Sequence, residues 1–216
     1  MTERRIRFGA LVAAALVAAT VSACGGSEQN AGEPHGNFPV TVTSSFPTSQ
    51  KLAQQTQFVV SVKNSGHATI PNVAVTITDP KYGDAAQSFG MLLQPNGQGQ
   101  PILASRSRPV WIITQAPGPC GYSCKNRGPG AAATAYTDTW ALGKLKPGQT
   151  ATFSWHLTAI QAGAWTVKYE VAAGLNGYAK AVTASGRQVS GQYQVKISQA
   201  PQSTYVEPNG TVTDSQ

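Results

Sequence analysis

The chain has 216 residues, with 16 Lys and Arg against 9 Asp and Glu and a net charge of +7. Charged residues are only 12% and hydrophobic ones 41%, so a sizeable core can form and wholesale disorder is not expected. No apolar run reaches the roughly 20 residues of a bilayer-spanning helix, which excludes a multi-span membrane protein.

The N-terminus reads as an export signal. Arg4, Arg5 and Arg7 precede an uncharged run, rich in Ala, Val and Leu, from Phe8 to Val21. These 14 residues are short for a membrane span and suited to a signal-peptide core. Val21-Ser22-Ala23-Cys24 follows and resembles the bacterial lipobox, an aliphatic residue and two small ones before a Cys. The resemblance implies diacylglycerol on the Cys24 thiol, cleavage before Cys24, and an anchor on the extracytoplasmic face of the cell membrane. The alternative is an ordinary secretory signal that happens to contain a Cys. Arg4-Arg5 also invites a twin-arginine reading, but Arg7 stands where that pattern wants an apolar residue, so export of the unfolded chain is expected. Cleavage would leave 13 basic and 8 acidic residues without a Lys/Arg-rich block. Nucleic acid is therefore a poor partner, and mild attraction to anionic lipid or wall polymer is the better expectation.

Residues 24–38 lack periodicity and are rich in Gly, Glu, Asn and Pro, so they are expected to form a flexible tether, with His35 solvated. From Pro39 onward the apolar period is two. Val40 and Val42 alternate with Thr41 and Thr43. The stripes Phe58-Val60-Val62, Val73-Val75-Ile77, Phe153-Trp155-Leu157, Trp165-Val167-Tyr169-Val171 and Tyr193-Val195-Ile197 repeat the pattern. Asn64-Ser65-Gly66, Asp79-Pro80, Pro147-Gly148 and Asn176-Gly177 supply turn chemistry. Strands with one wet and one dry face are typical of antiparallel sheets. The expectation is all-β: an Ig-like antiparallel sandwich over 39–200 with a long insertion around 79–139, followed by a disordered tail at 201–216. Phe58, Val60, Val75, Phe153, Trp155, Trp165, Val167 and Tyr169 are the expected core.

The segment from Val60 to Ile77, with Asn64-Ser65-Gly66, Ile70-Pro71 and Val73-Ala74-Val75, resembles the opening of bacterial Ig-like modules of the CARDB kind. Trp140-Ala141-Leu142-Gly143, Leu145 and Pro147-Gly148 resemble their second signature, and Gly163-Ala164-Trp165-Thr166-Val167 the strand after it. The resemblance implies a cell-surface module that is adhesive or architectural and not an enzyme.

The insertion separates those two blocks. A segment this long implies extra strands plus an irregular Gly/Pro-rich loop over 116–133. With Cys24 acylated, Cys120 and Cys124 are the two remaining thiols in an oxidising compartment. A disulfide closing a small loop is expected, worth roughly 2 kcal/mol. The rival is copper, since C-x3-C pairs occur in secreted copper sites. The position where such sites place a His is Gly128, however, and no Met follows Met91. His67 falls in a turn, and His156 falls on the wet face of its strand. Asp79, Asp84 and Asp138 match no calcium loop and read as turn residues.

No motif of hydrolases, metalloproteases or phosphate-binding loops occurs, so no catalytic site, metal or cofactor is assigned. Trp111 and Tyr122 are the aromatics available for ligand contact, and Lys125 and Arg127 flank the small ring with positive charge. Two functions follow: a lipid-anchored, non-enzymatic module that binds an envelope protein or an anionic wall polymer through the insertion, or a copper-handling or redox lipoprotein using Cys120 and Cys124.

Overall fold

Every period-two stripe becomes a strand with its apolar side turned inward. The structure, a computed structural model, describes residues 32–78, 87–93, 102–103, 109–118, 132–201, 203–208 and 211–214. Among them are fourteen strands and no helix: β1 (Gly36–Ser45), β2 (Ser49–Leu52), β3 (Gln55–Asn64), β4 (Ala74–Thr78), β5 (Phe89–Leu93), β6 (Ile102–Leu103), β7 (Trp111–Gln115), β8 (Thr139–Ala141), β9 (Thr150–Ala159), β10 (Gly163–Ala172), β11 (Ala179–Val182), β12 (Val189–Pro201), β13 (Thr204–Val206) and β14 (Val212–Asp214). Glu33–Gln216 is a compact unit by itself.

Two sheets pack face to face in an Ig-like sandwich. One runs β11-β1-β3-β9-β7-β5-β6 and the other β2-β12-β10-β4-β8. The central pair β3–β9 sets Phe58 opposite Trp155 and Val60 opposite Phe153, all fully buried. Across the sandwich, Trp140 of β8 meets Trp155 edge-on at 5.4 Å, and Tyr169 of β10 approaches Phe58 at 5.8 Å. Phe46, Phe89 and Trp111 complete this aromatic cluster. Ser44 ties the two sheets together, bonded to the hydroxyls of Tyr193 at 2.7 Å and Tyr169 at 2.9 Å. The Tyr169 ring lies over its register partner Gly191, where a Cβ would come within 2.5 Å of it, so glycine is required.

The structure corrects several expectations. The sheets are mixed: β1–β11, β2–β12 and β5–β7 are parallel pairs. β1 begins at Gly36, inside the segment read as a tether, because its first four residues pair with β11 before the rest pairs with β3. Phe38 is buried in consequence. Ahead of it, the Glu33 carboxylate accepts the N–H groups of Asn176 at 2.7 Å, Tyr178 at 2.9 Å and Ala179 at 2.8 Å. The His35 ring packs on Tyr178 at 4.3 Å. Within the segment read as a tail, β13 and β14 pair as a hairpin. Trp165, expected in the core, is only half-buried and gives its Nε1–H to the Gln161 carbonyl. Among the described residues, β4 pairs with β10 from Lys168 to Ala172, and Trp165 lies outside that pairing while packing at the edge of the core.

Asn64 does more than turn the chain. Its side chain is buried; Oδ1 accepts the Gly66 N–H, and Nδ2 donates to the carbonyls of Ala68 and Leu145. The β3–β4 connection is thereby fixed to the β8–β9 connection.

Candidate functional site

The outer face of the seven-stranded sheet is built from β3, β9 and β7. Alternation puts Gln57 and Ser61 of β3, and Thr152, Ser154 and His156 of β9, on this wet side. His156 is exposed as expected, and so is His67 in its turn. Gln57 Nε2 donates to Ser154 Oγ at 2.5 Å and lies 3.5 Å from His156 Nε2. Ser61 and Thr152 hydroxyls meet at 3.1 Å.

β7 completes the face through a bulge. Ile113 pairs with Leu157 and Gln115 with His156, leaving Thr114 as the extra residue. The Thr114 hydroxyl donates to the His156 carbonyl at 3.1 Å. Bulges bend a strand and re-aim its side chains, and here the bend brings Gln115 alongside His156. A cleft of about 370 Å³ is lined by Gln55, Thr56, Gln57, Thr114, Gln115 and His156. A second, of about 420 Å³, shares Gln115 and His156 and adds Pro117, Leu142, Thr152 and Ser154.

The second cleft stands at the root of the insertion loop. The chain leaves through Ala116 and Pro117, both buried, and returns at Ala132, whose N–H donates to the Pro117 carbonyl at 3.3 Å. Both ends of the loop are thus tied together beside His156. Tyr122, Lys125 and Arg127, with Cys120 and Cys124, fall on the loop and lie outside the described residues, as does Cys24.

Trp111 is not a ligand contact. It is fully buried, and its Nε1–H donates to Gln50 Oε1 at 2.8 Å. The reason is register: Trp111 pairs with buried Ala159, so its side chain shares the inward face of β9. Asp138 sits in a turn at φ +50°, with Gln87 Nε2 donating to both carboxylate oxygens. Asp79 and Asp84 lie outside the described residues. Among the described residues, no group of three or more His, Cys, Asp and Glu side chains comes together.

The described residues of the two clefts present amides, hydroxyls and one imidazole. Among the described residues lining them there is no carboxylate beside His156, and the Ser154 hydroxyl is engaged by Gln57. The arrangement can exchange hydrogen bonds with the hydroxyls or amides of a ligand. Sequence alternation indicates which β9 residues face out. It carries no signal for Gln57 and Gln115, which join them from strands distant in the chain.

No family model matches this chain, and no curated protein matches it. Among solved structures it is similar to the CARDB domain of a Pyrococcus furiosus protein, solved in complex with di-metal ions, at 14% identity and a TM-score of 0.39, covering 76% of this chain and 92% of that one. It is also similar to Escherichia coli alpha-2-macroglobulin from domain MG7 to the C-terminus, at 12% identity and a TM-score of 0.41, covering 82% of this chain and 21% of that one. A Listeria innocua beta-glucosidase matches at 9% identity and a TM-score of 0.33, over 76% of this chain and 16% of the enzyme. Likeness at these scores says nothing of ligand or chemistry. The protein is an all-β, Ig-like sandwich with an inserted set of strands, and it is similar to CARDB domains.

Proposed function

We propose that the mature chain is a lipid-anchored, extracytoplasmic binding module without catalytic activity, and that it holds an anionic cell-envelope polymer at the outer face of the β3–β9–β7 sheet. The observation that carries this reading is the pair of clefts sharing Gln115 and His156 at the tied root of the insertion loop. Their amides and hydroxyls suit a polyol or sugar backbone. Lys125 and Arg127, in the sequence between the loop's two tied ends, would supply charge for its phosphates. Attachment rests on the lipobox-like Val21-Ser22-Ala23-Cys24 behind its basic and apolar segments. More than one acyl chain makes such attachment stable.

The test has two arms. Cys24→Ser should accumulate as an unprocessed precursor; if the variant fractionates with membranes at the normal mature mass, the anchor is not at Cys24. Purified protein should be retained on immobilised teichoic acid. Replacing Gln57, Gln115 and His156 by Ala, or Tyr122, Lys125 and Arg127 by Ala, should each abolish retention while leaving the melting temperature nearly unchanged. Retention that survives both sets puts the binding surface elsewhere.

A further inference from the structure

One end of the sandwich carries features that neither the core nor the candidate clefts use. It is formed by the start of β1, the β3–β4 and β8–β9 connections and the β10–β11 loop. Asn72 joins these parts: its N–H donates to the Ala173 carbonyl and its Oδ1 accepts the Gly143 N–H. Tyr136 and Tyr178 are the exposed large hydrophobic side chains among the described residues, 47% and 50% exposed; Tyr178 belongs to this end, and Tyr136, in the turn before β8, reaches it through its hydroxyl. Tyr136 donates its hydroxyl to Asn176 Oδ1 at 2.8 Å, in the same loop that carries Tyr178. The same end carries four exposed lysines: Lys63 at the end of β3, Lys144 and Lys146 before β9, and Lys180 in β11. The carboxylates of flanking elements are engaged: Glu33 by three backbone N–H groups, Glu170 by the Gln188 amide and Asp138 by Gln87.

The chain from the N-terminus arrives at this same end. Glu33, nine residues after Cys24, is held by the β10–β11 loop. Nine residues reach about 30 Å when fully extended, and about 17 Å as a coil. A strand of ten residues such as β10 is itself about 33 Å long. An anchor at Cys24 therefore keeps the Tyr136–Tyr178 end nearest the bilayer, and the far end, at the β9–β10 turn, away from it.

We propose that this end is a membrane-docking surface for the anionic bilayer to which the chain is tethered. Tyr136 and Tyr178 lodge their amphipathic rings at headgroup level, and Lys63, Lys144, Lys146 and Lys180 meet the acidic headgroups. The orientation argument rests on the anchor reading; the surface chemistry does not. Docking would hold the sandwich upright and present the β3–β9–β7 face sideways to the envelope.

The experiment uses the chain from residue 24 with Cys24→Ser, which contains the whole compact unit and no acyl chain. It is sedimented with vesicles of phosphatidylcholine alone or mixed with phosphatidylglycerol. Binding should require phosphatidylglycerol and fade with added salt. Lys144→Gln and Lys180→Gln should each weaken it about fivefold. Tyr178→Ser should weaken it too, and Tyr178→Trp should restore it. Hydrogen exchange with vesicles present should slow at 142–146 and 173–180 and stay unchanged at 53–55 and 160–162. Equal binding to both vesicle types, or protection at the opposite end, overturns the proposal. So does retention on teichoic acid through the same lysines with none on vesicles. A Cys24→Ser chain processed normally in cells removes the anchor reading alone, because the vesicle result is obtained without acyl groups.

Discussion

Replacing Glu33 by Ala removes the acceptor for three backbone N–H groups at once. Oε2 takes the Asn176 N–H at 2.7 Å, and Oε1 takes those of Tyr178 and Ala179 at 2.9 and 2.8 Å. Hydrogen bonds to a charged acceptor are worth about 1.5–3 kcal/mol each, but water regains the exposed Tyr178 N–H once the carboxylate is gone. The two part-buried bonds carry the rest; Glu33 is itself only half-buried, so each falls at or below the low end of that range and a loss of about 2–3 kcal/mol is expected. For a chain of this size, that lowers the melting temperature by roughly 5–12 °C. Glu33→Gln keeps one oxygen and turns an amide N–H toward a backbone N–H, and should lose about half as much. Gly174 supplies an independent check, because a Cβ there would collide with the Glu33 carboxyl. Gly174→Ala should therefore reproduce the Glu33→Ala defect, and the double variant should be little worse than either, since both break one contact. Hydrogen exchange at the amides of residues 176, 178 and 179 reads the effect directly. Unchanged exchange there and an unchanged melting temperature in Glu33→Ala would falsify the claim that the carboxylate ties the incoming chain to the β10–β11 loop.

Other perturbations test the core. Trp155→Ala should cost about 3–5 kcal/mol in denaturant unfolding. Trp155→Phe should cost much less than the Ala change, about 1–2 kcal/mol, because the buried Trp155 Nε1–H has no hydrogen-bond partner among the described residues to lose. Gln50→Leu strands the Trp111 Nε1–H and the Pro47 carbonyl, for about 2–4 kcal/mol; adding Trp111→Phe should recover part of it, and a strictly additive double variant would contradict the pairing. Gly191→Val pushes the Tyr169 ring off its seat and from Ser44, for about 2–3 kcal/mol, whereas Ser190→Val on the exposed face should stay within about 0.5 kcal/mol. Equal melting temperatures for those two variants would refute the close approach.

The local pattern is what the sequence determined alone. Phe58 and Val60, Phe153 and Trp155, and Val167 and Tyr169 were legible as core because side chains alternate strictly along a strand, whatever its neighbours. The turns at Asn64 and Pro147-Gly148 were legible for a similar reason: Gly148 takes φ +75°, and Asn64 Oδ1 accepts the N–H of Gly66 two residues on. The likeness of Val21-Ser22-Ala23-Cys24 to a lipobox is equally local, since it rests on four consecutive residues.

Pairing was decided only in the tertiary structure. Glu33 and Phe38 sit in a segment without periodicity, and their order comes from β11 and its loop, about 140 residues further on. Trp111 reads as a possible ligand contact beside a loop, yet β7 lies against β9 with Trp111 opposite buried Ala159, and Gln50 supplies its partner from β2. Trp165 shares the phase of Val167 and Tyr169 but lies outside the described pairing of β10 with β4. The candidate site is the extreme case: Gln57, Gln115 and His156 meet through two strand pairings and one bulge. Alternation depends on the backbone of a single strand and can be read locally. Register depends on which faces find each other across long loops, so it appears only when the whole chain is folded.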